Sequence, residues 1–300
     1  MAGARYVITS ILVSLAMTGA GPVRAQTPAK LPVVATFSIL ADFARNVGSD
    51  RINVAALVGP DGDTHVYQPK PADAKELGAA RLIVVNGLGL EGWIDRLIKA
   101  SGTKASVIVA TKGINPQQMR EEGRIGPDPH AWQSIANAKI YVANIRDGLI
   151  AADPAGEAAY RANAENYLGK LDTLEAEVKR EITKIPPGRR QIITTHDAFG
   201  YFGTAYGFRF IAPEGVSTET EASARDVAKI IRQIKARKIP AVFLENVTDP
   251  RLVRSIAAES GAAVGGTLFS DALSPPDGPA STYIDMMRNN IRELAAALAN

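Results

Sequence analysis

The chain contains three histidines in 300 residues: His65, His130 and His196. Successive histidines are 65 and 66 residues apart, so only a tertiary fold could bring them together. Imidazole is the commonest neutral nitrogen ligand for metals near neutral pH. Because each histidine stands beside a predicted turn or strand end, the pattern favours one shared metal site. The alternative interpretation is three unrelated surface or packing histidines.

A carboxylate completes the candidate ligand set. Asp271 follows a predicted strand that ends at Phe269, and His196 follows the apolar strand 191–195. In open α/β sheets, ligands bind outside the carboxyl ends of the strands. Three imidazoles and one carboxylate form a nitrogen-rich set of four donors, which suits Zn2+. The chain has no cysteine, which excludes a Cys-rich zinc site and an iron–sulfur cluster.

Other polar residues near these positions have two interpretations. Glu245 ends a predicted buried strand and either holds a histidine by its free ring nitrogen or serves as a capping or salt-bridged carboxylate. Asp128 and Asp197 flank candidate ligands and are interpreted as turn or cap residues, and Trp132 as packing beneath the site. Four further acidic residues are interpreted as solvated: Glu121, Glu122, Glu219 and Glu221.

The first 25 residues have the features of a secretory signal peptide. Arg5 precedes an apolar run over 6–20, and Val23-Arg24-Ala25 offers a small-x-small cleavage site. The run is shorter than the roughly 20 residues of a membrane span, and no cysteine is present for a lipid anchor. We therefore expect export to the periplasm.

The charge of the chain does not indicate nucleic-acid binding. Without Arg5 and Arg24 the chain has 32 basic and 31 acidic residues, and it contains no stripe of basic residues of the kind that binds nucleic acids.

The remaining sequence alternates strand-like and helix-like segments, which predicts two doubly wound α/β lobes. The predicted strands cover 32–37, 52–58, 82–86, 106–110, 191–195, 208–212, 241–245 and 263–269. The predicted helices cover 38–47, 72–80, 90–100, 222–237, 250–260 and 282–298. The segments 113–128 and 271–281 are predicted to be loops that border a site.

One long helix is predicted to join the lobes. The N-terminal lobe covers 30–152, the linking helix 153–185 and the C-terminal lobe 186–300. Asp153 suits the N-cap of this helix and Pro154 its first turn. Its apolar positions recur at spacings of 3, 4 or 7: Tyr160, Tyr167, Leu171, Leu174, Val178 and Ile182. The alternative is two shorter helices broken at Gly169.

Seven motifs of the chain are similar to those of one protein family. They are Asp63-Thr-His65-Val-Tyr-Gln-Pro, Val85-Asn-Gly-Leu-Gly-Leu-Glu91, Asp128-Pro-His130-Ala-Trp132, His196-Asp-Ala-Phe-Gly-Tyr, Glu219-Thr-Glu221, Phe243-Leu-Glu245 and Leu268-Phe-Ser-Asp271. From about Leu31 to Asn300 the chain resembles the periplasmic zinc- and manganese-binding receptors of ABC transporters, the cluster A-I or TroA-like proteins. The resemblance implies a metal site in the cleft between two lobes, with the ligands His65, His130, His196 and Asp271.

The resemblance also implies a binding protein, not an enzyme, that delivers its ion to an ABC permease in the inner membrane. Members that resemble manganese receptors usually have Glu where this chain has His196. Because imidazole favours zinc, we expect Zn2+ as the ligand. Its affinity is expected to fall below about pH 6, as the histidines become protonated. A manganese or iron receptor is the alternative. We expect a monomer, with a metal-donating chaperone as an optional partner.

A periplasmic zinc hydrolase is a remote further alternative. In that function Asp271 would be a general base beside a zinc ion held by three histidines and a water. The sequence contains neither a nucleophile elbow nor a His-Glu-x-x-His motif, which disfavours this interpretation.

Overall fold

The computed structural model describes Met1 and residues 29–121, 124–213, 215, 218 and 222–299. The predicted signal peptide, 1–25, lies outside the described residues apart from Met1. Glu122, Glu219 and Glu221, which were interpreted as solvated acids, also lie outside them.

Ten strands and nine α-helices are assigned in the described part of the chain. The strands are β1 (Leu31–Phe37), β2 (Ile52–Val58), β3 (Leu82–Val85), β4 (Ser106–Val109), β5 (Gln118–Glu121), β6 (Arg124–Pro127), β7 (Gln191–Ile193), β8 (Arg209–Ile211), β9 (Ala241–Glu245) and β10 (Ala263–Leu268). The helices are α1 (Ser38–Gly48), α2 (Pro71–Ala79), α3 (Ile94–Ser101), α4 (Ile135–Ala152), α5 (Glu157–Ile182), α6 (Gly200–Tyr206), α7 (Ala224–Arg237), α8 (Pro250–Ser260) and α9 (Tyr283–Leu298).

Two parallel sheets carry the fold. The first has the strand order β2-β1-β3-β4 and the second β10-β9-β7-β8. All four residues of β3 are buried, as expected for a strand covered on both faces. Because neighbouring strands run parallel, their carboxyl ends share one edge of each sheet. The prediction of two α/β lobes with a long helix is confirmed.

The long helix α5 runs without interruption through Gly169, so the alternative of two shorter helices is wrong. It is shorter than the predicted 153–185: Asp153 and Pro154 begin a separate 3-10 turn, and α5 itself starts at Glu157. Its 26 residues span about 39 Å. All six residues of the predicted apolar stripe are buried against α1, α4 and α9. Neither α5 nor any other helix in the described residues has the length and apolar character needed to cross a membrane.

The hydrophobic core is continuous across most of the molecule. One cluster of buried residues extends from β1 through α4 and α5 to α6, the inner face of β9 and α9. A smaller cluster lies between the second sheet and the pair α7 and α8: Ile193, Ile230, Ile234, Ile239, Val242, Val253, Ile256 and Ala257. A core shared by both sheets and the long helix favours small relative movements of the lobes over large ones.

One prediction about irregular chain is wrong, and two helices were not predicted. The segment 113–128 is not wholly a loop, because β5 and β6 pair as an antiparallel hairpin from Gln118↔Pro127 to Glu121↔Arg124. These strands lack the alternating apolar pattern by which a half-buried strand is predicted. The helices α4 and α6 were also absent from the prediction, although the buried positions Ile135, Ala138, Tyr141, Val142, Ile145 and Leu149 give α4 a helical spacing.

Candidate metal centre

The structure brings together the side chains of His65, His130, His196 and Asp271. One ligand atom from each lies within 4.8 Å of all the others. His130, His196 and Asp271 are fully buried, and His65 is 9% exposed. His65 follows β2, His130 follows β6, His196 follows β7 and Asp271 follows β10, so loops that follow strands of both lobes supply the four side chains.

The carboxylate of Asp271 lies next to all three imidazoles. Its Oδ2 atom is 3.0 Å from Nε2 of His196 and 3.3 Å from Nε2 of His65. Its Oδ1 atom is 3.7 Å from Nε2 of His130 and has no hydrogen-bond partner. Nε2 of His65 also lies 3.2 Å from Nε2 of His130. Four donor atoms therefore converge on one point, and a divalent cation there would satisfy all of them.

The two histidines of the first lobe, His65 and His130, are held by the same kind of turn. The backbone N–H of His65 donates to Oδ1 of Asp63 at 2.9 Å, and the backbone N–H of His130 donates to Oδ1 of Asp128 at 2.9 Å. A side chain that accepts from the N–H two residues later fixes a tight turn. The repeated Asp-x-His pattern is a sequence signal for this geometry. The interpretation of Asp128 as a turn residue agrees with this contact.

Asp128 has a second contact that sequence reasoning missed. Its Oδ1 atom also lies 2.8 Å from Nδ1 of the His130 ring. A carboxylate at Nδ1 fixes the tautomer and leaves Nε2 available for a metal. Asp128 therefore orients the imidazole as well as the backbone.

Glu245 lies in the corresponding place beside His196. Its Oε1 atom accepts hydrogen bonds from the backbone N–H groups of Thr195, at 2.6 Å, and of His196, at 3.0 Å. Its Oε2 atom is 2.7 Å from Nδ1 of His196. This last pair is close enough for an ion pair but is not aligned as a regular hydrogen bond. Glu245 thus contacts both the backbone and the ring of His196, and Nε2 of that ring points to Asp271.

The other flanking residues, Trp132 and Asp197, supply none of the four converging atoms. Trp132 is fully buried, with its ring 5.3 Å from that of His130, and its Nε1–H donates to the carbonyl of Ser270 at 2.8 Å. It packs beside the cluster, as predicted. The backbone N–H of Asp197 donates to the carbonyl of Gly215 at 2.9 Å, which joins two loops of the second lobe.

Opposite charges shift the pKa values of the cluster. Burial lowers the pKa of His130, but the charge of Asp271 and the contact with Asp128 outweigh it and raise that pKa to about 9. Burial likewise opposes the charged form of His196, but Glu245 and Asp271 raise its pKa well above 6.5. Although burial acts in the opposite direction on Asp271, the charges of His196 and His130 hold its pKa well below its usual range.

The raised pKa values of His130 and His196 predict that metal binding releases protons. At about pH 7 the metal-free site holds protons on His130 and His196, whereas a metal binds only the unprotonated ring. Affinity for Zn2+ should therefore rise from pH 7 towards pH 9, about tenfold per pH unit for each proton displaced. The sequence predicted that zinc affinity falls below about pH 6, the range in which an ordinary histidine becomes protonated. Because the acidic partners raise both pKa values, the fall in affinity is expected at a higher pH.

Calorimetric titration in buffers of different ionisation enthalpy measures the protons released. Substitution of Asp128→Asn should lower the release, because it removes one of the charges that raise the pKa of His130. An affinity that stays constant from about pH 7 to pH 9, with no proton release at the lower pH, would contradict this assignment.

A protein-family model matches this chain over residues 33–297, and its description is "Zinc-uptake complex component A periplasmic", ZnuA. The iron-binding protein YfeA of Yersinia pestis is 35% identical over 270 residues, which cover 90% of this chain and 86% of that protein. These matches span nearly all of the sequence that follows the predicted signal peptide.

Solved structures are similar over the same length. The periplasmic zinc-binding protein TroA of Treponema pallidum superposes with a TM-score of 0.85 at 33% identity, over 91% of this chain and 100% of that one. An Mn-bound variant of a periplasmic metal-binding protein from Candidatus Liberibacter asiaticus gives a TM-score of 0.83 at 34% identity, over 90% and 100% of the two chains. The names of these three relatives mention iron, zinc and manganese.

Proposed function

Because this chain belongs to the ZnuA family of periplasmic metal-binding receptors of ABC transporters, we propose that it captures Zn2+ and delivers it to a membrane permease. The proposed ligands are His65, His130, His196 and Asp271. The observation that supports this function is the convergence of their four donor atoms, three of them on fully buried side chains.

The donor set favours zinc, and three of the six separations between the four donors fit a zinc ion. Three of the four side chains supply imidazole nitrogen, and imidazole suits Zn2+ better than it suits Mn2+, which prefers oxygen ligands. Zinc bonds of about 2.0–2.1 Å at a tetrahedral angle separate neighbouring donors by about 3.3 Å. The observed separations of His65 from His130, His65 from Asp271 and His196 from Asp271 are 3.2, 3.3 and 3.0 Å.

A manganese or iron receptor is the second candidate. Oδ1 of Asp271 is buried, faces His130 and has no hydrogen-bond partner, so it offers a fifth donor. An oxygen-richer, five-coordinate site suits manganese or iron better than a tetrahedral one. Relatives named for iron and manganese agree with this alternative.

The family consists of transport receptors rather than enzymes. A catalytic zinc keeps an open coordination position for water or substrate. Here three of the four donor side chains are fully buried, and Asp271 contacts two of the imidazoles directly. This burial favours capture of a bare ion over catalysis on a larger molecule.

Release of the ion would begin at His65, the ligand that reaches the surface. Its loop is tied to the second lobe, where Asn246 donates to Asp61, Thr218 donates to Asp63, and Asp61 N–H donates to the carbonyl of Leu273. We propose that the permease breaks these contacts when it takes up the ion. The monomeric state and a metal-donating chaperone stay predictions.

A metal competition tests the function. Metal-free protein is equilibrated with equimolar Zn2+ and Mn2+, and separately with Zn2+ and Fe2+ without oxygen, and bound metal is counted by mass spectrometry. We expect one zinc per chain and little of the competing metal. Retention of manganese or iron instead would establish the second candidate, and retention of no metal would refute a receptor function.

A further inference from the structure

The turn that follows β3, residues 86–93, has an unusual backbone. Gly87, Leu88 and Gly89 all have positive φ angles, of 84°, 56° and 85°. A Cβ atom on Gly87 would lie 2.6 Å from Cγ1 of Val109, so glycine is required there for space as well as for conformation. Three consecutive left-handed residues curl the chain back on itself, which brings Glu91 next to the start of its own turn.

A buried carboxylate locks this turn. Oε1 of Glu91 accepts hydrogen bonds from the backbone N–H of Asn86 and the hydroxyl of Thr36, both at 2.6 Å. Oε2 accepts from the backbone N–H of Gly87 at 3.1 Å. A carboxylate that is buried and fully hydrogen-bonded holds its donors in one arrangement. The turn is therefore fixed to β1, through Thr36, as well as to itself.

Two side chains reach from this turn to the two first-lobe ligand loops. Nδ2 of Asn86 donates to the carbonyl of Pro129 at 3.0 Å, and Nε1 of Trp93 donates to the carbonyl of Thr64 at 2.9 Å. Pro129 immediately precedes His130, and Thr64 immediately precedes His65. Each of the two histidines is thus held through the carbonyl group of the residue that precedes it.

The donor orientation of Asn86 is itself fixed. The hydroxyl of Tyr141 donates to Oδ1 of Asn86 at 2.6 Å, which directs the amide NH2 group towards Pro129. Asn86 is fully buried and Trp93 nearly so. A carbonyl held by a buried donor limits rotation of its peptide plane, and that plane sets the direction in which the next side chain leaves the backbone.

We propose that Asn86 and Trp93 are positioning residues that set the separation of the His65 and His130 rings and thereby the choice of metal. This inference rests on the proposed receptor function. The ring nitrogens, 3.2 Å apart, match the spacing of two donors on a tetrahedral zinc ion. Loosening either carbonyl lets the pair spread, which favours a larger, less tetrahedral coordination sphere.

The test uses two variants and one matched control. Trp93→Phe removes the N–H donor but keeps an aromatic ring to pack on Tyr67, whose ring lies 5.1 Å away. Asn86→Ala removes the amide. The control is Asn144→Ala, which removes an amide on α4 that bonds the carbonyls of Ala110 and Lys112 at 2.8 Å. Thermal unfolding of the metal-free proteins checks that each variant folds.

Zinc affinity, the ratio of zinc to manganese retained in competition, and the visible absorption of the Co2+-loaded protein are measured for each. We expect Trp93→Phe and Asn86→Ala to weaken zinc binding by about 10- to 100-fold, to lower the zinc-to-manganese ratio and to change the cobalt spectrum. Asn144→Ala should leave all three unchanged. If Asn86→Ala does not fold, the results for Trp93→Phe alone test the inference.

Two results would overturn the inference while leaving the receptor function intact. One is wild-type zinc affinity and cobalt spectrum in Trp93→Phe. The other is an equal loss of affinity for every metal with an unchanged cobalt spectrum, which indicates a role in stability only. If the unsubstituted protein retains none of zinc, manganese or cobalt, the proposed function fails and the inference fails with it.

Discussion

Substitution of Asp271→Asn is expected to weaken Zn2+ binding by at least about a hundredfold. Loss of a partner outside the ligand set already costs about 10- to 100-fold in metal affinity, and Asp271 is the one anion among the four converging side chains. Asparagine has nearly the same shape, so the change removes the charge and keeps the packing. Its amide cannot replace the strong attraction between a carboxylate and a divalent ion.

Competition with a chromogenic chelator measures this affinity. The matched control is Asp277→Asn, which changes an exposed residue of the loop that follows Asp271 and should bind zinc like the unsubstituted protein. If the Zn2+ affinity of Asp271→Asn stays within about threefold of that of the unsubstituted protein, Asp271 is not a ligand. Tight zinc binding combined with loss of an esterase or peptidase activity would favour the hydrolase alternative, in which Asp271 is a base.

The elements that carry the ligands follow from local sequence patterns. The stripe from Tyr160 to Ile182 predicts α5 because its apolar spacing has the helical period, and every member of it is buried. The apolar run 82–85 predicts a strand covered on both faces, which β3 is. Scarcity of histidine and absence of cysteine limit the candidate ligands to a few side chains, and four of these converge.

The contacts that orient the ligands depend on tertiary structure. Asn86 meets the carbonyl of Pro129 across 43 residues, and Trp132 meets that of Ser270 across 138 residues. No local pattern encodes such pairs, because the sheet order and the long helix decide which loops become neighbours. Asp128 is different: it lies two residues from His130, and the Asp-x-His pattern that it shares with Asp63 was a local signal that could have been used.

Substitution of Glu245→Gln is the second prediction with a large effect. We expect zinc affinity to fall by about 10- to 100-fold, although Glu245 is not itself among the converging atoms. Oε2 of Glu245 lies 2.7 Å from Nδ1 of His196 and favours a proton on that nitrogen, which leaves Nε2 free towards Asp271. Glutamine keeps one oxygen for the backbone N–H groups of Thr195 and His196 but presents an NH2 group to the ring.

An amide donor at Nδ1 moves the ring proton to Nε2, the atom needed for the metal. Because the chain has three histidines, a 15N-edited NMR spectrum of the metal-free protein, recorded at a pH high enough to remove the extra proton from His196, can assign the tautomer of its ring. Glu259→Gln, on the exposed face of α8, is the matched control and should change neither tautomer nor affinity. Unchanged zinc affinity in Glu245→Gln, or a tautomer shift without loss of affinity, would show that Nε2 of His196 does not bind the ion.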